Sequence, residues 1–371
     1  MPKYSEAQKQ ALQELTVQWE SRYLSIPALM GGVGLGKTEM AGSLAAEMSE
    51  VMGDALIFEP IATGEASDPT DTSGIPWVID VEDPNGVLTK KDQRVLWVLN
   101  RAAYQACHVP TLLLFDDIDK ATNIVVNSLL NLFVHRRFKD YALHPNSLMM
   151  CAGNRTQDDI HANRLSESLR TRVTIIEVEA DFDDFAEYAK RTGNIHPHLI
   201  GFLSARRELL HKYEENVYRF PTPRGYREAS LHMWKFHDEK EWPAILERKL
   251  GAAVKADFLA WYNILSKIDV DYILMNGEIK NMPSGAVERK MAEFASVFAL
   301  TMRMNQKGGV QPGWTGIEKF IDNLKDSPEL KVAFLLQIRD EMRREFRKHY
   351  KSAAGKLMGS VIADADETEE P

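Results

Sequence analysis

A glycine-rich segment followed by lysine and threonine is the stretch of this chain best suited to chemistry. It fits the pattern G-x-x-x-x-G-K-[ST], in which glycines let the backbone wrap around phosphate with its N–H groups pointing inward. The lysine can reach the β- and γ-phosphates of a nucleotide, and the hydroxyl can bind Mg²⁺. The eight residues predicted to bind the nucleotide are Gly31, Gly32, Val33, Gly34, Leu35, Gly36, Lys37 and Thr38.

The segments on either side of these glycines match the expected context. An apolar run at 26–30 predicts a short buried strand, and helix-forming residues continue from Lys37 to about Glu50. The beginning of a helix offers unpaired N–H groups and a partial positive charge, and both favour phosphate. The sequence therefore predicts a site for ATP and Mg²⁺ between this strand and this helix, rather than a plain glycine turn.

Two carboxylates follow a second apolar run. Leu112 to Phe115 is wholly apolar, as in a central parallel strand covered on both faces, and Asp116 and Asp117 come next. Open α/β sheets bind ligands at the carboxyl ends of their strands, so Asp116 is predicted to hold Mg²⁺ together with Thr38. Asp117 is predicted to orient or deprotonate the attacking water. The alternative is a buried strand that ends in a solvated acidic turn.

Three further polar residues complete the predicted site. Asn154 ends a third apolar run and can contact the γ-phosphate or the water, with a capping or turn role as the alternative. Arg172 precedes an apolar strand at 173–178 and can face the nucleotide of a neighbouring subunit. Arg170 is its close competitor, and an ordinary surface ion pair is the alternative for both. Arg224, near the start of a helix, can reach back to the γ-phosphate or simply face solvent.

In this order, the motifs resemble those of AAA+ ATPases and, more finely, those of the MoxR-like group. The segment LLLFDDIDK at 112–120 resembles the Walker B strand of that group. Residues 129–154 resemble the segment of that group that leads up to its sensor 1 residue. LSESLRTRV resembles its arginine-finger segment, and PTPRG resembles its sensor 2. The resemblance covers about residues 20–235. It departs at one position, because the family usually has Asp-Glu where this chain has Asp116-Asp117, and the shorter carboxylate puts fast hydrolysis in question.

The resemblance implies a role for each of these residues. Walker A would comprise Gly31, Gly36, Lys37 and Thr38, and Walker B would comprise Asp116 and Asp117. Asn154 would be sensor 1, Arg172 the trans-acting finger and Arg224 sensor 2. The implied catalytic set is therefore Lys37, Asp117, Asn154, Arg172 and Arg224, and the implied metal ligands are Thr38 and Asp116.

The resemblance also implies partners. It points to a ring of identical subunits, expected to be hexameric, that couples ATP hydrolysis to remodelling or maturation of a protein client. The expected client is a protein with a von Willebrand factor A domain. Two alternatives stay open: a nucleic-acid-directed AAA+ motor or loader, and a slowly hydrolysing, ATP-gated scaffold. The formal net charge of −9 disfavours the first, since nucleic-acid binders need a basic surface.

Composition sets broader limits. A hydrophobic content of 44% is ample for a core, and no apolar run is long enough to predict a membrane span. The charged N-terminus does not resemble a signal peptide, so a cytoplasmic protein is expected. Cys107 and Cys151 are then expected to be reduced thiols. Basic residues at 343–351 alternate with acidic ones, which is typical of a solvated helix.

The predicted fold class is α/β. Strands near 26–30, 55–59, 111–116, 147–152 and 173–178 alternate with helices and predict a central parallel five-stranded sheet. The predicted parts are an N-terminal helix at 1–23, an AAA+ nucleotide-binding core at 24–215, a helical lid with sensor 2 at 216–249, a helical C-terminal extension at 250–362 and an acidic disordered tail at 363–371. Ser5 with Gln8 predicts a capping box that opens the first helix.

Residues 62–93 do not fit a minimal core. The segment is rich in Asp, Thr, Pro and Gly and contains an apolar island at 75–79, so it is predicted to be a long functional loop. MoxR-like proteins carry an insertion in this neighbourhood that faces the ring axis. Trp77 is accordingly predicted to contact a client, with packing of Trp77 into the core as the alternative.

Overall fold

The chain forms two compact units. The computed structural model describes residues 3–21, 25–80, 93–158, 162–214, 217–236, 238–306, 313–324 and 328–349. The units divide between Asp181 and Phe182. Residues 182–214, which the sequence assigned to the core at 24–215, lie in the second unit, and the predicted domain boundaries stay predictions.

One parallel sheet forms the centre of the first unit. Its strands run in the order β2–β5–β8–β1–β9, while β3 with β4 and β6 with β7 form antiparallel hairpins. Four of the central strands lie within one residue of their predicted positions, while β2 begins two residues and ends three residues later than predicted. In chain order the strands are β1 Ile26–Gly31, β2 Ile57–Ala62, β3 Gly74–Asp80, β4 Gln93–Leu99, β5 Thr111–Asp116, β6 Arg137–Phe138, β7 Tyr141–Ala142, β8 Leu148–Gly153 and β9 Val173–Val178.

Parallel pairing brings the carboxyl ends of the three innermost strands to one edge of the sheet. Met30 of β1 pairs with Gly153 of β8, and Phe115 of β5 pairs with Cys151 of β8. All three strands are apolar and buried, because helices cover both faces of the sheet. The glycine loop, the paired aspartates and Asn154, each of which follows one of these strands, therefore meet at that edge.

Helices cover this sheet on both sides. The helices described in the first unit are α1 Tyr4–Ser21, α2 Lys37–Met52, α3 Pro69–Ser73, α4 Arg101–His108, α5 Asn123–His135 and α6 Glu167–Arg170. Of these, α1 and α2 pack on one face of the sheet, and α4 and α5 pack on the other. Helix α1 begins one residue before the predicted cap Ser5, and the N–H of Lys3 donates to the carboxylate of Glu6 at 3.2 Å. The buried Gln18 amide fastens α1 to β8, since it donates to the carbonyl of Met149 at 3.0 Å and accepts its N–H at 2.7 Å.

Where it is described, the predicted loop at 62–93 forms regular structure, and β3 pairs with β4 as an antiparallel hairpin. A 3₁₀ turn at Thr63–Glu65 and the short helix α3 precede it, and α4 follows it. In the hairpin, Trp77 of β3 pairs with Leu96 of β4. The segment forms strands because its apolar, β-branched and aromatic residues favour pairing, a feature that the surrounding turn-forming residues concealed. Residues 81–92 lie outside the described part of the chain.

The described residues of the second unit form helices joined by turns and loops, and they include no strand. Its helices are α7 Phe182–Thr192, α8 Pro197–Ala205, α9 Pro223–Lys235, α10 Trp242–Leu250, α11 Ala252–Leu265, α12 Val270–Asn276, α13 Ala286–Met304, α14 Trp314–Asn323, α15 Pro328–Gln337 and α16 Asp340–His349. Helical periodicity in the sequence runs through 241–266 and predicts one helix there, whereas the structure has two, α10 and α11. Gly251 separates them with φ of 99°, where a Cβ would lie 2.5 Å from the carbonyl oxygen of Arg219.

Together, the parallel sheet and the helical second unit confirm the fold class that the AAA+ resemblance implied. Helical periodicity in the sequence also runs through 317–350 and predicts one helix there, whereas the described residues form three, α14 to α16. The acidic tail at 363–371 lies outside the described residues. Within those residues, no helix combines the length and apolar character needed to cross a membrane.

Candidate functional site

The glycine loop joins β1 directly to α2. Gly31 ends the strand, Lys37 begins the helix, and the intervening backbone turns through glycines with positive φ, 76° at Gly34 and 86° at Gly36. Gly31 is required for a different reason, because a Cβ there would lie 2.4 Å from the carbonyl oxygen of Val178. The N-cap of α2 is Gly36, which has no side chain to bond the first N–H groups of the helix, and the start of a helix favours an anion.

Lys37 lies inside this loop. Its side chain is only 9% exposed, and its ammonium donates to the carbonyls of Gly31 at 2.9 Å and Gly32 at 2.8 Å. A third bond goes to Oδ1 of Asn154 at 3.0 Å. Burial lowers the pKa of Lys37 to about 8, although the nearby carboxylates, chiefly Asp116, oppose that shift. The loop therefore holds a cation whose surroundings would favour a bound polyphosphate.

Thr38, in the first turn of α2, contacts Asp116, the last residue of β5. The hydroxyl of Thr38 donates to Oδ2 of Asp116 at 2.7 Å, and Oδ1 of Asp116 accepts the N–H of Asp117 at 3.0 Å. Mg²⁺ is held in nucleotide sites by one or two protein oxygens together with phosphate and water. The hydroxyl and carboxylate oxygens brought together here fit that donor set.

Asp117 adopts a backbone conformation uncommon for a residue other than glycine, with φ of 51°. The chain approaches it closely, since a Cβ on Gly64 would lie 2.8 Å from the Asp117 Cβ. Its carboxylate is half-exposed and lies 3.6 Å from the ammonium of Lys120. Strained backbone is common at functional sites, and the turn keeps this carboxylate beside Asp116 yet open to solvent.

Asn154 is buried at the end of β8 and is 4% exposed. Its side chain accepts from Lys37, and its backbone N–H donates to Oδ1 of Asp119 at 2.8 Å. Asp119 is a residue that sequence reasoning missed, since the third carboxylate of the DDID segment reads as part of an exposed turn. The structure buries it instead, because the N–H of Ile118 bonds to the carbonyl of Ala152 at 3.0 Å and draws the chain across β8.

Arg155 is a second residue that the sequence did not single out. Its guanidinium binds Asp158 and lies 3.4 Å from Glu177 and 3.0 Å from Glu179. These contacts connect the ends of β8 and β9 next to the site. Arg155 is only partly exposed, so the ion pairs stabilise this edge of the sheet more than isolated surface pairs would.

Arg172 lies at the amino-terminal ends of the parallel strands, whereas the glycine loop lies at their carboxyl ends. Arg172 immediately precedes β9, whose first residue pairs with Ile26, whereas the glycine loop follows the other end of β1. The six residues of β9 span five steps of about 3.3 Å each, so the two ends of the strand are about 17 Å apart. Arg172 donates to the carbonyl of Ser168 at 2.6 Å, and Arg170 lies 3.7 Å from Glu167. A role for either arginine in its own subunit's site is therefore disfavoured.

Arg224 belongs to the second unit. It is exposed in the first turn of α9, after the N-cap Thr222, whose hydroxyl accepts the N–H of Gly225 at 3.0 Å. The predicted helix start is correct to within one residue, and the predicted reach of Arg224 toward a nucleotide stays a prediction. The structure thus brings together Lys37, Thr38, the two aspartates and Asn154, which all lie in the first unit.

Comparison with known proteins gives only weak likenesses. No family model matches the chain, and no curated protein is significantly similar to it. Among solved structures, a point mutant of Thermotoga maritima RuvB aligns at 13% identity with a TM-score of 0.38, over 72% of this chain and 75% of that one. C. elegans PCH-2 aligns at 13% identity with a TM-score of 0.33, over 82% of this chain and 70% of that one. Likenesses of this degree assign neither a family nor a function to the chain.

Proposed function

We propose that this protein is a ring-forming AAA+ ATPase of the MoxR-like kind, which uses Mg-ATP hydrolysis to remodel or mature a protein partner. The observation that carries the proposal is the convergence of Lys37, Thr38, Asp116 and Asn154 at the carboxyl edge of the sheet. A buried lysine bonded to a glycine loop, beside a hydroxyl–carboxylate pair, is what binding of a nucleotide polyphosphate requires.

Each side chain then has a defined task. Lys37 and the N–H groups at the start of α2 bind phosphate oxygens and stabilise the negative charge that develops during transfer. Thr38 and Asp116 would hold Mg²⁺, which supplies further charge neutralisation when bound. Asp117 orients the attacking water, and Asn154 fixes the position of Lys37 or of that water.

Arg172 would complete the site from a neighbouring subunit. Its position at the far edge of the sheet supports a role across an interface, where it would stabilise charge on the phosphoryl group. Hydrolysis would then depend on assembly, which supports the expectation of a ring. A hexamer and a cytoplasmic location are part of the proposal by resemblance to the MoxR-like group.

A nucleotide-trapped pull-down tests this function. Asp117→Asn should bind ATP, hydrolyse it poorly and hold its partner, while Lys37→Ala should not bind ATP and provides the background. After nuclease treatment, mass spectrometry should find a specific protein enriched by the trap, above all one with a von Willebrand factor A domain. Enrichment of nucleic acid alone would replace the proposal with a nucleic-acid-directed motor. ATP-dependent partner binding by wild-type protein with negligible turnover would replace it with a gated scaffold.

The hairpin β3–β4 is the proposed contact for the partner. Five of its apolar side chains are more than half exposed, and Trp77 is 60% exposed, which disfavours the alternative that Trp77 packs in the core of this unit. The five are Ile75, Trp77, Val78, Val95 and Val98. At the base of the hairpin, the ammonium of Lys139 lies 4.2 Å from the ring centroid of Trp97, a cation–π contact that attaches β3–β4 to the β6–β7 hairpin.

Trp77→Ala should reduce partner capture without affecting the fold or basal hydrolysis. Removing an exposed anchor in a protein interface typically costs about 2 kcal/mol or more, so capture by the Asp117→Asn trap should fall about thirtyfold. Trp234→Ala is a matched control, since Trp234 is also exposed but lies on α9 in the second unit. A fall in melting temperature of more than a few degrees for Trp77→Ala would instead show that Trp77 supports the fold.

A further inference from the structure

Asp119 is buried against the site and bonds to the backbone of Asn154, not to the Asn154 side chain. Its side chain is 1% exposed, and its Oδ1 accepts the backbone N–H of Asn154 at 2.8 Å. Its other carboxylate oxygen, Oδ2, has no hydrogen-bond partner among the described residues. A carboxylate left half-satisfied in the interior is costly, so packing alone does not account for an aspartate here.

The end of β8 is shaped to admit this carboxylate. A Cβ on Gly153 would lie 2.7 Å from Oδ1 of Asp119, so only glycine lets the carboxylate approach the strand end so closely. The carbonyl of Asp119 also accepts the N–H of Asn163 at 3.2 Å, which holds the turn from the other side. The backbone of Asn154 is thus clamped at the point where β8 ends.

The side chain of Asn154 connects this backbone to Lys37. The side chain of Asn154 accepts from the ammonium of Lys37 at 3.0 Å, and its direction depends on the backbone that Asp119 holds. We propose that Asp119 is a positioning residue for ATP hydrolysis, which fixes Asn154 so that its amide meets Lys37 and the reacting end of the nucleotide. The inference rests on the proposed ATPase function and deepens it.

Steady-state ATPase and binding of a fluorescent ATP analogue to the full chain test this role. Asp119→Ala removes the acceptor for the Asn154 N–H, and kcat should fall by about tenfold or more, as expected when catalytic geometry loosens. The dissociation constant of the analogue and the melting temperature should change little. Asp119→Asn keeps an oxygen at the same place and should restore most of kcat.

A double-mutant cycle identifies the residue through which Asp119 acts. In the Asn154→Ala background, Asp119→Ala should cause no further loss of kcat, because the side chain that it positions is already absent. Additive losses would overturn the proposal. So would an equal loss in Asp119→Asn, which would mean that the charge matters rather than the acceptor, or a parallel fall in affinity and melting temperature.

Lys37→Ala separates failure of this inference from failure of the proposed function. If Lys37→Ala leaves the turnover of the preparation unchanged, the ATPase assignment itself fails. If Lys37→Ala abolishes turnover while Asp119→Ala does not reduce it, the ATPase assignment stands and only the positioning role is lost.

Discussion

Lys37→Met should weaken ATP binding by about 100-fold and abolish hydrolysis, while the protein stays folded. The substitution keeps an unbranched side chain of similar length but removes a buried ammonium that makes three hydrogen bonds within the loop. Losing one buried charge-assisted contact with phosphate costs about 3 kcal/mol, which corresponds to about 100-fold in affinity. Isothermal titration calorimetry with ATP measures the loss, and circular dichroism checks the fold.

Lys190→Met is a suitable control for this experiment, because Lys190 lies on α7 in the second unit. It should bind ATP like the wild type. Wild-type affinity in Lys37→Met would contradict the assignment of the glycine loop as the phosphate site. If Lys37→Met loses the circular dichroism spectrum of the folded protein, ATP affinity should be measured on Lys37→Arg instead, because that variant keeps the charge.

Because burial lowers the pKa of Lys37 to about 8, the affinity for ATP should also depend on pH. Without nucleotide the group loses its proton near pH 8, whereas a bound polyphosphate favours the charged form and raises its pKa. Affinity should therefore be constant below about pH 7 and fall by up to about tenfold per pH unit above pH 8. Titrations near pH 8 in two buffers of different ionisation enthalpy should show proton uptake on binding. Equal affinity at pH 7 and pH 9 would contradict this reading.

Arg172→Ala should lower kcat by about 1,000-fold without changing ATP affinity by more than a factor of about three, as for other arginines that act across an interface. The reason is its place at the sheet edge far from the glycine loop, where it cannot serve the site of its own subunit. ATPase assays with ATP titrations measure both quantities. Arg170→Ala is the matched comparison, since its guanidinium lies nearby and beside Glu167.

Mixing two inactive variants tests the assignment to the neighbouring subunit. Arg172→Ala has an intact glycine loop, and Lys37→Ala has an intact Arg172, so a mixed ring should regain part of the activity that neither variant has alone. Equal loss of binding and turnover in Arg172→Ala would exclude the role. If Arg170→Ala gives the large loss and Arg172→Ala does not, Arg170 is the finger.

The sequence was most informative where local chemistry dictates structure. Glycines at 31, 34 and 36 are needed for steric or conformational reasons, and a buried parallel strand reads as an unbroken apolar run, so the loop and the strand ends were predictable. The separation of helices at Gly251 was not, because helical periodicity continues through a glycine whose close contact with Arg219 is tertiary.

Asp119 and the hairpin illustrate the other limit. An aspartate in a turn is ordinarily solvated, and only the pairing of Ile118 with Ala152 buries this one. The apolar residues of β3 and β4 pair although they are well separated in the sequence, and no local periodicity reveals such a pairing. The predicted approach of Arg224 to a nucleotide rests on the family resemblance alone and stays a prediction.

The way in which the β3–β4 hairpin joins the fold has an evolutionary consequence. The hairpin leaves and rejoins the first unit at adjacent points, where the N–H of Asn100 bonds to the carbonyl of Ser73 and the Asn100 amide donates to the carbonyl of Asp71 at 2.8 Å. Neither end of the insert interrupts a strand of the central sheet. The hairpin is therefore separable from the sheet: its length and surface can diverge, or be exchanged by design, while the strands that position the candidate site are left unchanged.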